Sequence, residues 1–245
     1  MQSFDTGTIL GVSFRLWIRH LPGLVALSAV AFLPTILVEL FATRTDRFGT
    51  GTPMLGFGAQ FLVCVFTMVA YAFLAGAATR LVLADLQGER VTASDAVTTA
   101  LRRLPALLGV SFIVGLLVAG GLILLIVPGI MIAVAHNVAP CVAIAEGADV
   151  STAMRRGRDL TRGRRWGVFA VVVVLGIVVG ILAVATTMLL QLAGPEGVSK
   201  TTLVLQQIPT LIFAPLGAVA SAAMYFALRK EKEGVDVASM ARAFA

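Results

Sequence analysis

Five long stretches of the chain have the length of a bilayer crossing and almost no charge, and this pattern constrains the fold more than any other feature. A helix spanning ~30 Å of hydrocarbon needs about 20 apolar residues. Pro22 to Phe41, Phe57 to Ala78, Leu104 to Val127, Trp166 to Leu190 and Leu203 to Leu228 each reach that length, with Glu39 as their only acid. A sixth run, Ile130 to Ile144, follows the third after only Pro128 and Gly129. It covers about 22 Å as a helix, which is short for a crossing. Water would not tolerate such a chain: 58% of its 245 residues are apolar and 13% charged, against roughly 45–50% and about 25% in soluble domains. The sequence therefore reads as all-α, a polytopic integral membrane helical bundle forming one transmembrane domain over residues 1–245. The same composition excludes a disordered tail, a fibrous rod and, with two Cys, a disulfide scaffold.

The net charge of +6 acquires meaning once it is located, because Lys and Arg in short loops stay on the cytoplasmic side. With six crossings and both termini inside, sixteen basic residues lie inside and only Arg44, Arg47 and Lys200 outside. If Leu104 to Ile144 crossed once, the balance would become seven inside and twelve outside. Six crossings are expected, near 22–41, 57–78, 104–127, 130–144, 166–190 and 203–228. The step Val127-Pro128-Gly129-Ile130 is expected to form a tight outer hairpin, Pro fixing φ and Gly permitting the reversal. The first apolar run follows a polar and amphipathic segment and is long enough to span, so it reads as an anchor rather than a cleaved signal. The expected location is a bacterial cytoplasmic (inner) membrane. No zinc-ligand spacing or aromatic RNA-binding strand accompanies the positive charge, so nucleic acid is not an expected partner.

Three amphipathic segments, near 8–20, 94–103 and 151–164, each precede a membrane run, and they resemble one another. Arg19-His20-Leu21-Pro22-Gly23-Leu24 matches Arg102-Arg103-Leu104-Pro105-Ala106-Leu107 at four of six positions, and Arg164-Arg165-Trp166-Gly167 takes the corresponding place before span five. The expected unit is an interfacial helix plus a transmembrane hairpin, used three times. In the first copy Leu10, Phe14, Trp17 and Leu21 share a helical stripe, which predicts a helix lying along the membrane surface. Ser94 and Ser151 are N-cap candidates for the other two. In the third copy Arg155, Arg158, Arg162 and Arg165 recur at helical spacing, with Asp159 in reach of Arg155 and Arg162 and with Met154, Gly157 and Leu160 opposite. Gly157 and Gly163 each cost such a helix about 1 kcal/mol relative to Ala.

Six arginines, Arg155, Arg156, Arg158, Arg162, Arg164 and Arg165, thus crowd one loop. They read either as topogenic charge on a solvated face or as a phosphate-binding surface, since guanidinium groups bind phosphate bidentately and each basic residue near an anionic leaflet contributes about 1 kcal/mol. Few other ionisable groups lie within the spans. Glu39 is expected to pair with Arg44 or Arg47, and Glu146, at the end of helix four, with a loop arginine. His136 and Asn137 form an intramembrane polar pair, read as an interhelical hydrogen-bonding pair before a ligand or proton carrier. Gln60, Gln191, Gln206 and Gln207 read as polar interface residues, and Cys64 and Cys141 as packing residues. Small-residue pairs, Gly176 with Gly180, Ala72 with Gly76 and Gly217 with Ser221, permit close helix contact. Pro34, Pro140, Pro209 and Pro215 interrupt the backbone ladder in spans one, four and six. Catalytic constellations, metal-ligand spacings and phosphate-cradling loops are missing, so no enzyme activity, cofactor or metal is expected.

Three segments carry a family resemblance: Val127-Pro128-Gly129-Ile130, the acidic turn Ala145-Glu146-Gly147, and Ala153-Met154-Arg155-Arg156 with Leu160-Thr161-Arg162-Gly163. Together they resemble the signature of a bacterial membrane-domain family named after its fusion to glycerophosphoryl diester phosphodiesterases, with small YciC-type relatives. The closing run from Tyr225 to Asp236 is similar to that family's Tyr-rich, Arg-Lys-Glu-Gly-Asp tail, with Phe226 and Ala227 departing from it. The resemblance implies an inner loop built on Glu146, Arg155, Arg156, Leu160, Thr161, Arg162 and Gly163. It implies no hydrolase, because the phosphodiesterase domain is absent from this chain. The expected function is that of a non-enzymatic, lipid-interacting or scaffold and assembly protein with a basic cytoplasmic face. Its expected partners are anionic membrane lipids, together with membrane proteins or further copies of the chain. The alternative is a transporter or lipid translocator whose path runs between the three hairpins past His136 and Asn137.

Overall fold

A computed structural model describes residues 5–42, 44–45, 53–54, 56–87, 93–193 and 205–234. Within them six helical stretches are long and apolar enough to cross a membrane: Leu21–Phe41, Phe57–Asp85, Ser94–Leu124, Ile126–Ala145, Arg165–Leu189 and Ile208–Glu233. Lipid offers no partner to a backbone N–H, so an apolar run of this length satisfies itself as a helix. The fold is all-α, a helical bundle with a membrane protein's exposed apolar surface. Its helices are α1 (Thr6–Arg19), α2 (Leu21–Ala42), α3 (Phe57–Gln87), α4 (Ala93–Leu124), α5 (Ile126–His136), α6 (Ala139–Ala145), α7 (Val150–Thr161), α8 (Arg165–Ala193) and α9 (Ile208–Glu233). Arg44–Thr45 and Pro53–Met54 form a two-residue antiparallel pairing between α2 and α3. Residues 203–204 and 235–236, the start of the expected sixth span and the end of the expected tail, lie outside the described residues, as do Arg47 and Lys200.

The centre of the bundle is α9, which packs against α1, α2, α3, α6, α7 and α8 and buries Leu216, Val219, Ala222, Met224, Tyr225 and Leu228. Close approach elsewhere is set by small residues, as expected where apolar side chains gain nothing by leaving lipid. A Cβ on Gly157 would lie 3.1 Å from the backbone of Ala139, so α7 sits directly on α6. Gly76 is closed in by Leu107, Ala100 and Ile144. Gly176, Gly180 and Gly217 face open space instead, so of the three small-residue pairs only Ala72 with Gly76 marks a tight helix contact.

Several local expectations are corrected. The second amphipathic segment is not a separate helix: it is the start of α4, which runs unbroken through Pro105, since a helix entering lipid gains nothing by exposing further backbone groups. The reversal between α4 and α5 falls at Leu125, whose extended backbone (φ −164°, ψ 144°) breaks the helix, and not at Pro128 and Gly129. Both of those lie in the first turns of α5, where a proline needs no N–H donor. Gly129 is there for proximity, since a Cβ would come within 2.6 Å of Leu122 on α4. The short fourth span is two helices, α5 and α6, with Pro140 in the first turn of α6. Gly163 belongs to no helix and takes φ +87° in the turn between α7 and α8, so its freedom serves the turn. The N-cap of α7 is Asp149, not Ser151, and accepts from the Ser151 and Thr152 amides at 3.2 and 3.5 Å, while Ser94 lies within α4.

The first amphipathic helix also packs against protein. Its stripe of Leu10, Phe14, Trp17 and Leu21 is half-buried, and the adjoining Ile9 and Leu16 are buried; Trp17 donates its indole N–H to the Ile212 carbonyl at 3.1 Å, and its ring stacks on Phe213. Helix α1 is therefore held against α9. Its end is tied to α3 by Arg19 and His20, which reach Asp85 at 3.0 and 3.3 Å.

Candidate functional site: an arginine helix over a carboxylate lattice

Helix α7 begins at the Asp149 cap, whose carboxyl is held down at about 2 by hydrogen bonds from Ser151 and Thr152. Its apolar side, Ala153, Gly157, Leu160 and Thr161, is buried. Thr161 anchors the end of the helix by donating its hydroxyl to the Ala135 carbonyl of α5 at 3.0 Å. This seating fixes which arginines turn inward and which turn out.

Arg156 turns inward. Its Nε donates to both oxygens of Glu146, at 3.1 and 3.3 Å, and its Nη2 donates to Glu233. Glu146, the C-cap of α6, also accepts the Tyr225 hydroxyl at 2.9 Å. Arg229 then closes the ring, donating to the Tyr225 oxygen at 3.1 Å and to Glu233 at 2.9 Å. Two carboxylates and two guanidiniums thus neutralise one another around a fully buried tyrosine, and every charge has a partner of opposite sign. Burial pulls the Arg156 pKa down, and Glu146 and Glu233 more than offset this, leaving it raised. The lattice joins α6, α7 and α9. A second tie alongside it runs from Arg164 to Glu231 at 2.8 Å, and Lys232 donates to the Asp159 carbonyl.

The six arginines therefore do not act as one patch. Arg156 and Arg164 are engaged in ion pairs. Arg155, Arg158 and Arg162 are exposed and make no ion pair among the described residues; Asp159, placed to reach two of them, contributes its backbone carbonyl to Lys232 instead. Arg165 stands apart at the first residue of α8, half-buried, with its Nε atom buried and without an acceptor. Arg103 of α4 reaches the adjoining turn and donates to the Gly147 carbonyl at 3.0 Å, where φ of +64° and the guanidinium's proximity both call for glycine.

Of the remaining polar residues, Asn137 accepts from Ser221 of α9 at 3.1 Å, whereas His136 bonds back to the Ile132 carbonyl of its own helix at 3.0 Å. The two are neighbours without being partners. Glu39 accepts from Gln207; the side chain of Arg44 and all of Arg47 lie outside the described residues. Thr79 donates to the buried Cys141 sulfur at 3.4 Å. Among the described residues no three His, Cys, Asp or Glu side chains are grouped to hold a metal ion.

The sequence reading missed Tyr225, Arg229 and Glu233 as members of the site. A signal was present, because residues at i, i+4 and i+8 line one face of a helix, and a Tyr, an Arg and a Glu at that spacing near the end of a span call for polar partners.

The fold and this site define a polytopic α-helical membrane protein whose charged junction between α6, α7 and α9 is internally neutralised beneath an exposed basic helix face. The chain belongs to an uncharacterised protein family, UPF0259, which it matches over residues 57–216. No curated protein and no solved structure matches it.

Proposed function

We propose that the protein is a non-enzymatic membrane protein that binds anionic lipid through α7 and supports the assembly or organisation of neighbouring membrane components. In this reading both termini and α7 face the cytoplasm of a bacterial inner membrane, and the glycerophosphodiesterase-associated membrane family, with its YciC-type members, is the wider group. The observation that carries it is the division of the arginines. The lattice pairs Glu146 and Glu233, and Arg164 pairs Glu231, so the exposed Arg155, Arg158 and Arg162 are in excess of what the fold uses. Cations in excess on a helix seated over a membrane bundle attract phosphate headgroups. A transport path, the alternative, needs polar walls; the cavities beside Asn137 are walled mainly by apolar side chains, which favours the lipid reading.

The test is native mass spectrometry of the full chain released from nanodiscs of mixed phosphatidylglycerol and phosphatidylcholine. Wild-type protein is expected to retain phosphatidylglycerol preferentially, and the Arg155→Gln, Arg158→Gln, Arg162→Gln triple variant to lose most of that preference at unchanged melting temperature. Equal lipid retention by both proteins would contradict the proposal.

A further inference from the structure

Helix α8 is flanked by open grooves. Between it and α5 lies a cavity of about 270 Å³ walled by Ile130, Ala133, Phe169, Val172 and Val173, with Asn137 at its edge. A helix with its side chains is about 10 Å across and does not fit such a space, whereas a single hydrocarbon chain does. Spacings of four, three and four residues place Arg165, Phe169, Val172 and Gly176 on one face of α8, so Arg165 stands at one end of the groove. Its Nε–H makes no hydrogen bond within the protein while the side chain as a whole is only half-buried, and an acceptor from outside the protein relieves that unmet bond. The adjacent Trp166 is 78% exposed, and an exposed tryptophan at the end of a span marks headgroup depth.

We propose that this groove seats an acyl chain of an anionic phospholipid whose phosphate oxygen accepts the hydrogen bond of Arg165. The site deepens the lipid-binding reading and rests on it, but it uses a different arginine and a different face from the exposed α7 triad. The groove supplies shape and apolar contact, and Arg165 supplies the choice of headgroup.

The experiment uses the full chain in phosphatidylcholine nanodiscs doped with phosphatidylglycerol bearing a mid-chain diazirine. After photolysis, adducts are expected to concentrate on peptides containing Ile130–Val134 and Phe169–Val173. Arg165→Gln is expected to lower them about five-fold, the weight of one cation at an anionic headgroup. Val173→Trp, which fills the groove from a lipid-facing position, is expected to abolish them without lowering the melting temperature. Diazirine phosphatidylcholine should show no such concentration, and millimolar inorganic phosphate should not compete. Adducts spread evenly over α4 and α8, equal labelling by the two lipids, indifference to Arg165→Gln, or cross-links to a second chain in the groove would each overturn the proposal. Should those results appear while wild-type protein keeps its preference for phosphatidylglycerol, the groove site fails alone; loss of that preference would remove the broader reading as well.

Discussion

Helix α8 carries no charge between Trp166 and Ala193, yet only 17% of its most apolar stretch is buried, whereas α9 ends in five consecutive charged residues and buries 56% of its own. In a soluble protein the ranking would be reversed. Here the surroundings are as apolar as leucine, so burial selects for close packing and for polar groups that need partners. Helix α9 offers both: small residues at Ala220, Ala222 and Ala223, and the Tyr225–Arg229–Glu233 face that completes the lattice. Helix α8 has no comparable charged face, and a Cβ on its Gly176 or Gly180 would meet only open space.

Disrupting the α9 side should have the largest effect. Glu146→Ala removes the acceptor shared by Arg156 and Tyr225 and leaves a guanidinium and a buried hydroxyl without it. A loss of about 2–3 kcal/mol is expected, between the values for exposed and for fully buried pairs. Thermal unfolding followed by circular dichroism in detergent checks it, and an unchanged midpoint would mean that the lattice does not hold α6, α7 and α9 together. Gly157→Leu, which drives a side chain into Ala139, should cost about 1–3 kcal/mol by overpacking and should increase proteolysis within α7. On the α8 side, Gly176→Ala meets open space and should leave stability unchanged or raise it by up to about 1 kcal/mol; a loss as large as that of Gly157→Leu would erase the contrast between the two helices.

The smallest effect concerns pH. The Asp149 carboxyl is lowered to about 2 in the folded protein, against about 3.9 in an unfolded chain. A depressed acid stabilises fully above its unfolded value, and that contribution disappears as pH falls through the folded one. Wild-type protein should therefore lose thermal stability between about pH 4 and pH 2 relative to Asp149→Asn. Parallel titrations of the two proteins would show that the cap is not the titrating group.

The membrane helices were legible because their signal is local: a run such as Trp166 to Leu190 needs no tertiary information to be read as a span. Charge bookkeeping separated the third from the fourth, and the structure has a helical stretch of crossing length on each side of Leu125, the second built from α5 and α6. Proline and glycine were harder to interpret. Pro128 and Gly129 look like a turn in sequence, yet a proline in a first helical turn and a glycine at a close helix contact leave the same trace. The site was half legible. Helical spacing brought Arg155, Arg158 and Arg162 to one face, but nothing local told Arg156 from its neighbours, because what claims it are Glu146 and Glu233, the latter from a helix far along the chain.

The proposal depends most on which side of the membrane α7 occupies. In a Cys64→Ala background, Arg158→Cys should react with a membrane-impermeant maleimide in inverted inner-membrane vesicles and stay unlabelled in intact cells. Labelling in intact cells would put the arginine helix on the opposite face, away from the cytoplasmic leaflet, and contradict the account.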